Sequence, residues 1–282
     1  MSKTFGAIGD DYGQLEQSEI LLQSIPYDGT STWGKGADNG FEAFLDAAEN
    51  MELYDIETNS EVYRRGIHLL PVIQEDSSAE AVYEAVYAKV SELLKLDKYL
   101  TFFGGEHSVS IGIIDAYLDK YPNLSVLQLD AHADLRKDYL GTPFNHACAL
   151  HRTSQKANLV QVGIRSMDIS ELEYLNKSKC FFAEDISGKT EWMQKSIDLL
   201  GDEVYLTIDL DAFDSSIMPA TGTPEPGGLF WNPTIEYLKM VFKQKNVVGF
   251  DIVELAPIEG IKAPNFLAAK LYYKLLSYKY YG

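Results

Sequence analysis

Basic residues are scarce. Of 282 residues, 24 are Lys or Arg against 42 Asp or Glu, a formal net charge of −18. A chain this acidic has no basic stripe to lay along phosphates, so nucleic acid and anionic membrane surfaces are excluded as expected partners. A cationic ligand remains compatible. Cysteine is nearly absent too. Cys148 and Cys180 cannot build a disulfide framework, and a reducing, cytoplasmic setting is expected. No apolar run approaches the roughly 20 residues that span a bilayer. Met1 to Glu19 is polar and acidic and lacks the basic-then-apolar order of a secretory signal. A Pro/Ser-rich linker and an internal repeat are also missing, so a single domain over residues 1–282 is expected.

What is present is a regular alternation. Ile20 to Ile25, Gly66 to Leu70, Tyr99 to Phe103, Val126 to Leu129, Asn158 to Gly163, Cys180 to Phe182, Glu203 to Ile208 and Val247 to Val253 read as strands. Helical patterns fall at Phe41 to Asn50, Ser77 to Leu96, Ser108 to Lys120 and Phe144 to Arg152. Four more fall at Asp168 to Asn176, Glu191 to Leu200, Asn232 to Gln244 and Ala263 to Tyr280. Strand–helix alternation from end to end predicts the α/β class: a single three-layer α/β/α domain with a mainly parallel central sheet. Function in such sheets collects at the carboxyl ends of the strands.

Two of these strands end in ligand-type side chains. Val126 to Leu129 runs into Asp130-Ala131-His132-Ala133-Asp134, and Tyr205 to Ile208 runs into Asp209-Leu210-Asp211. On a strand, residues i, i+2 and i+4 share a face, so each set is expected to converge. His107, just after the Gly104-Gly105 turn, is a further candidate. Four clustered carboxylates repel one another unless cations neutralise them. Two divalent ions would balance four carboxylates, with two imidazoles filling the remaining positions. This oxygen-rich, two-histidine set suits Mn²⁺ better than thiolate-preferring metals. Solvated carboxylates at strand ends are the bland alternative.

Four motifs carry a resemblance: Gly104-Gly105-Glu106-His107-Ser108, Asp130 to Asp134, Asp209-Leu210-Asp211-Ala212-Phe213-Asp214, and Thr221-Gly222-Thr223-Pro224-Glu225-Pro226-Gly227-Gly228. In this order they resemble the signatures of the ureohydrolase family of arginases, agmatinases and other guanidino-compound hydrolases, over roughly Ile20 to Pro257. The last run is more similar to agmatinase-type members. The resemblance implies a binuclear manganese site, with one ion on His107, Asp130, Asp134 and Asp209 and the other on Asp130, His132, Asp209 and Asp211. It further implies that Asp134 orients the attacking water and that Glu225 holds a guanidinium by two parallel hydrogen bonds. Tyr139 to His146 is similar to the family's histidine-bearing run, with Asn145 in place of serine, which makes His146 the candidate proton shuttle. Glu106 and Ser215 are further departures. The implied reaction releases urea and an amine from a small cationic guanidino substrate. Agmatine is the leading expectation. Guanidinobutyrate, arginine, guanidine, formimidoylglutamate and a non-catalytic metal-binding homologue are the alternatives. The resemblance also implies a homo-oligomer, trimer or hexamer.

Three signals are set aside. Gly29 to Gly36 nearly matches a phosphate loop but has Gly36 where Ser or Thr must follow the lysine, and reads as a substrate-side loop. Asp209-Leu210-Asp211 lacks the twelfth-position glutamate of a calcium loop. The tyrosine-rich tail (Tyr272, Tyr273, Tyr278, Tyr280, Tyr281) reads as helix packing, with a subunit interface as the alternative. His68 reads as structural, and His151 as a weaker shuttle candidate than His146.

Overall fold

The computed structural model describes residues 4–282. Among them, eight strands form one sheet: β1 (Ile20–Ile25), β2 (Ile67–Leu69), β3 (Tyr99–Gly104), β4 (Ser125–Leu129), β5 (Asn158–Ile164), β6 (Cys180–Phe182), β7 (Glu203–Asp209) and β8 (Asn246–Val253). Every pairing is parallel, in the spatial order β2-β1-β3-β8-β7-β4-β5-β6. The expected mainly parallel sheet is therefore parallel throughout.

A parallel sheet has to be covered on both faces, and its strands read as continuous apolar runs. Alternate residues sort the two cores. Leu127, Leu129, Leu206, Ile208 and Phe250 face α2 (Gly40–Ala48), α8 (Trp231–Gln244) and α9 (Ala263–Tyr281). Val126, Phe102 and Tyr205 face α3 (Ala79–Leu93) and α4 (Val109–Lys120). This is the three-layer α/β/α arrangement. Short helices α1 (Asp10–Gly13), α5 (His151–Lys156), α6 (Ala183–Ile186) and α7 (Glu191–Asp198) complete the set. Of the α9 tyrosines, Tyr272, Tyr273 and Tyr278 are packed in the core, whereas Tyr281 is exposed. Tyr272 and Tyr273 are fully buried, and the Tyr272 hydroxyl shares a 2.9 Å hydrogen bond with Thr101 Oγ1 on β3.

Two expected helices differ in kind. Phe144 to Arg152 is a 3₁₀ turn, His146–Cys148, followed by α5. The Asn145 side chain accepts from Ala147 N and starts the turn; Leu150 N then bonds Asp134 O at 3.0 Å, so no longer helix forms. Asp168 to Asn176 is a single 3₁₀ stretch, Ile169–Glu173, held by a capping box between Asp168 and Glu171.

The strand order places the site. Successive strands β3 and β4 are separated by β8 and β7, so the winding reverses at the sheet centre and opens a crevice at the carboxyl ends. His107 follows β3, Asp130 follows β4, Asp209 closes β7 and Glu254 follows β8. The turn after β3 admits only glycine at position 105, where a Cβ would overlap the carbonyl of Tyr27.

Candidate active site

The six expected ligand residues meet at the sheet centre, but not by strand alternation alone. β4 ends at Leu129, and Asp130 to Asp134 is irregular chain. Asp134 turns inward because its backbone is left-handed, φ +54°. Asp211 lies in a 3₁₀ turn, Leu210–Ala212, and not on β7. The same-face expectation therefore fails beyond the strand ends. Backbone amides hold the turned segments instead: Ala131 N donates to Asp211 Oδ1 (3.0 Å), Asp211 N to Asp209 Oδ1 (2.8 Å) and His132 N to Asp130 Oδ1 (2.6 Å).

The side chains form two groups sharing Asp130. His107 Nδ1 lies 3.1 Å from Asp130 Oδ2, 3.1 Å from Asp134 Oδ2 and 3.3 Å from Asp209 Oδ2. His132 Nδ1 lies 2.9 Å from Asp211 Oδ2 and 3.7 Å from Asp130 Oδ1. Buried His107 Nδ1 has no hydrogen-bond partner in proper geometry despite three carboxylates around it. Its other nitrogen is committed: Nε2 meets Thr207 Oγ1 at 2.9 Å, and that hydroxyl donates to Asp251 Oδ1 at 2.7 Å. A histidine fixed through Nε2, with its Nδ1 lone pair aimed among carboxylate oxygens, is the donor set of a metal centre. In each of two groups, His107–Asp130–Asp134 and Asp130–His132–Asp211, the ligand atoms lie within 4.8 Å of one another, so the residues present fit a cation in each.

The electrostatics agree with the fit. Burial, then the Asp130 charge, pushes Asp134 up to about 7. Burial and the charges of Asp211 and Asp130 raise Asp209 well above the carboxylate range. Burial opposes ionisation of Asp130, yet His107 and His132 hold it below its ordinary value. Burial likewise opposes protonation of His107 and His132, and the surrounding aspartates override it in both. Such a cluster has a strong demand for positive charge, which cations meet by displacing protons.

The cluster opens into a cavity of about 270 Å³ whose walls include Thr32, Tyr139, His146, Met167, Asp168 and Glu254. His146 is pulled down to about 4, first by burial and then by the neighbouring histidines. Glu225 stands beside His132, its side chain 37 % exposed, with Oε1 3.9 Å from His132 Nε2. Its loop is tied down on both sides, by Asp214 Oδ2 accepting from Gly227 N and Gly228 N (2.8 and 3.0 Å) and by Arg165. The Gly29 to Gly36 loop packs on the same segment through Gly34 N and Gly222 O, 3.0 Å apart. His68 and His151 lie elsewhere, bonded to Gly13 O (2.7 Å) and Leu135 O (3.0 Å).

Several supporting residues escape a reading of the sequence. Gln128 Nε2 donates to Asp130 Oδ2 at 2.7 Å, and Thr207 supports His107 as above. Each sits two residues before a strand-end aspartate, so alternation could have flagged both. Glu254, whose Oε1 accepts from His107 N at 2.8 Å, carried the signal of an acid closing an apolar strand. Arg136 and Asp168, 3.4 Å apart on the cavity wall, carried none.

The Arginase family model matches residues 18–277. The chain belongs to the arginase family. It is 34 % identical over 275 residues to an N(1)-aminopropylagmatine ureohydrolase of Thermus thermophilus, covering 96 % of this chain and 94 % of the relative. It is 31 % identical over 277 residues to an agmatinase of Pyrococcus horikoshii, covering 93 % and 92 %. Among solved structures, the agmatine ureohydrolase of Thermoplasma volcanium superposes with a TM-score of 0.88 at 28 % identity, over 99 % of this chain and 95 % of that one. The chain is thus a hydrolase of the agmatinase-like ureohydrolase branch, an enzyme class that cleaves guanidino carbon–nitrogen bonds. No helix among the described residues is long and apolar enough to cross a membrane.

Proposed function

We propose that the chain is a binuclear manganese amidinohydrolase that converts agmatine to putrescine and urea, working as one catalytic domain. The observation that carries this is His107 Nδ1 ringed by three carboxylates, beside a second histidine–aspartate group that shares Asp130, with His107, His132, Asp134, Asp209 and Asp211 lining one cavity. One ion would sit on His107, Asp130, Asp134 and Asp209, the other on Asp130, His132, Asp209 and Asp211. Bound there, two Mn²⁺ ions would lower the pKa of a shared water.

The chain's own groups do the rest. Glu225 receives the guanidinium through two parallel charge-assisted hydrogen bonds, which align its carbon over the aspartate cluster. Asp134 orients the attacking water. Attack forms the new carbon–oxygen bond, and the carbon–nitrogen bond to the alkyl amine then breaks. His146, at the cavity wall, takes the proton released by the water and hands it to the leaving amine. Neutral at working pH, it is able to accept that proton.

Substrate choice rests on the outer cavity. A cationic tail would compete with Arg136 for the Asp168 carboxylate, and Arg136 is itself occupied by that carboxylate and by the Tyr139 ring, 4.6 Å from its guanidinium. That disfavours a substrate with a tail carboxylate. It equally suits agmatine lengthened by an aminopropyl group, the substrate class in the name of the Thermus relative. We place the enzyme in the cytoplasm, its two cysteines buried free thiols pushed up to about 12 by burial, and as a homo-oligomer.

The test is urea release after Mn²⁺ loading, across agmatine, aminopropylagmatine, arginine, guanidinobutyrate and guanidine. Urea from the first or second alone supports the reading and names the substrate. Two bound ions with no urea from any would favour a non-catalytic homologue. His146→Ala should lower turnover more than substrate affinity.

A further inference from the structure

Resting on that role of His146, we propose that Thr30 is a positioning residue that fixes the tautomer of His146, with the ring hydrogen on Nδ1 and Nε2 bare. Its hydroxyl stands at a three-way junction. Thr30 Oγ1 donates to Glu106 Oε1 at 2.8 Å, accepts from His146 N at 3.0 Å and lies 3.1 Å from His146 Nδ1. The three contacts join segments 76 and 116 residues apart in the chain.

A hydroxyl has one proton and two lone pairs. The Glu106 carboxylate takes the proton and the His146 backbone N–H takes one lone pair. The second lone pair can be used only by a donor, so Nδ1 carries its hydrogen. Nε2 is then left bare on a ring that lines the cavity. A ring held in this tautomer offers its lone pair to the reacting water, whereas the opposite tautomer would offer a donor.

Glu106 can act as the fixed end of the chain because its other contacts are donors too. Ser108 N donates to Oε2 and Ser108 Oγ to Oε1, both at 2.8 Å. The residue is fully buried, so no water competes for these oxygens. Tyr139 packs edge-on against the His146 ring, 6.1 Å between centroids, which restricts ring rotation but not the choice of tautomer. Choosing the tautomer falls to Thr30. The loop that resembles a phosphate cradle therefore serves another purpose, carrying a hydroxyl to the shuttle histidine.

Neutron diffraction from perdeuterated, manganese-loaded crystals reads the tautomer directly. The expected result is a deuteron on His146 Nδ1 and none on Nε2. Thr30→Val keeps the shape and removes the hydroxyl; it should lower kcat by about tenfold or more, leave KM within about threefold and keep manganese content unchanged. Thr30→Ser should restore kcat. A deuteron on Nε2, or a valine variant with wild-type kcat, would overturn the proposal. The tautomer needs no variant to fold and no substrate. A deuteron on Nδ1 in a protein that releases no urea would remove the catalytic reading of His146 and still support its positioning by Thr30.

Discussion

Arg165 grips the backbone of Glu225. Its Nη2 donates to Glu225 O at 2.9 Å and to Asp211 O at 2.6 Å, while Nε donates to Pro226 O at 3.1 Å. One planar guanidinium, anchored where β5 ends, thus sets the position of a candidate metal ligand and of the candidate guanidinium acceptor together.

Lysine cannot reproduce that fork, because a single ammonium cannot reach several carbonyls in fixed directions. Arg165→Lys should therefore raise KM more than it lowers kcat, by about 10- to 100-fold in kcat/KM. Steady-state kinetics at saturating Mn²⁺ would check it. A change confined to kcat would mean that the guanidinium supports the aspartate side and not the Glu225 loop.

Asp209→Asn should leave the chain folded and remove at least one ion. The carboxylate is buried, its Oδ2 3.3 Å from His107 Nδ1, and an amide supplies a weaker, neutral oxygen. Metal analysis on the dialysed protein, with circular dichroism to show the fold, decides it. Wild-type stoichiometry would break the ligand assignment.

Manganese affinity should fall as pH drops. Every ligand has to shed its proton to bind, and His107, His132, Asp134 and Asp209 all have raised proton affinities. With Asp134 near 7, titration calorimetry should show affinity still rising through neutral pH. A flat profile from pH 5 to pH 8 would argue against this ligand set.

How much of this is legible in the sequence follows from which rule each residue obeys. Leu127 and Leu129, with their β-periodic neighbours, announce a buried strand, and the acids at its end announce a site. Asp134 is found through its motif, although alternation is the wrong rule for its direction: a left-handed backbone at φ +54° turns it inward. No local pattern reports that. Thr30 and Arg165 are invisible as site residues because their meaning lies in contacts 46 to 116 residues away. The 3₁₀ turn at His146–Cys148 reads as helix in the sequence because caps and helix starts use the same side chains, here Asn145.

Substrate tails should be sorted by Asp168. Its carboxylate faces the cavity wall beside Arg136, and a distal ammonium entering there would compete for it. Asp168→Asn should raise KM for agmatine several-fold, a small effect because the carboxylate is exposed and screened by solvent. It should change kcat little and leave guanidine itself unaffected. Comparing KM for agmatine and guanidine on both proteins is the check. Equal effects on the two would move the residue's role from tail recognition to loop structure.

Far from the cavity, Lys274 offers a stability test. It is nearly buried on α9, 2.9 Å from Asp55 Oδ2 and 2.6 Å from Glu57 Oε2, and Lys239 and the Tyr278 hydroxyl join Glu57 at 2.8 and 2.6 Å. Burial works against the Glu57 charge, but these donors hold its pKa at about 2, below 4.5. A depressed carboxylate pKa stabilises the fold above the unfolded value and loses that contribution as pH falls through the folded one. The window is therefore from about 4.5 down to about 2. Lys274→Met leaves buried Asp55 without its cation and should destabilise by about 3 kcal/mol at neutral pH, the low end for a broken buried pair because Glu57 is partly solvated. Denaturant titrations of both proteins at pH 7, 4 and 2.5 would read the difference. It should shrink steadily as Asp55 and Glu57 take up protons, because a neutral carboxyl no longer needs the lysine. A difference that stayed constant with pH would assign the loss to packing of the lysine stem, not to charge.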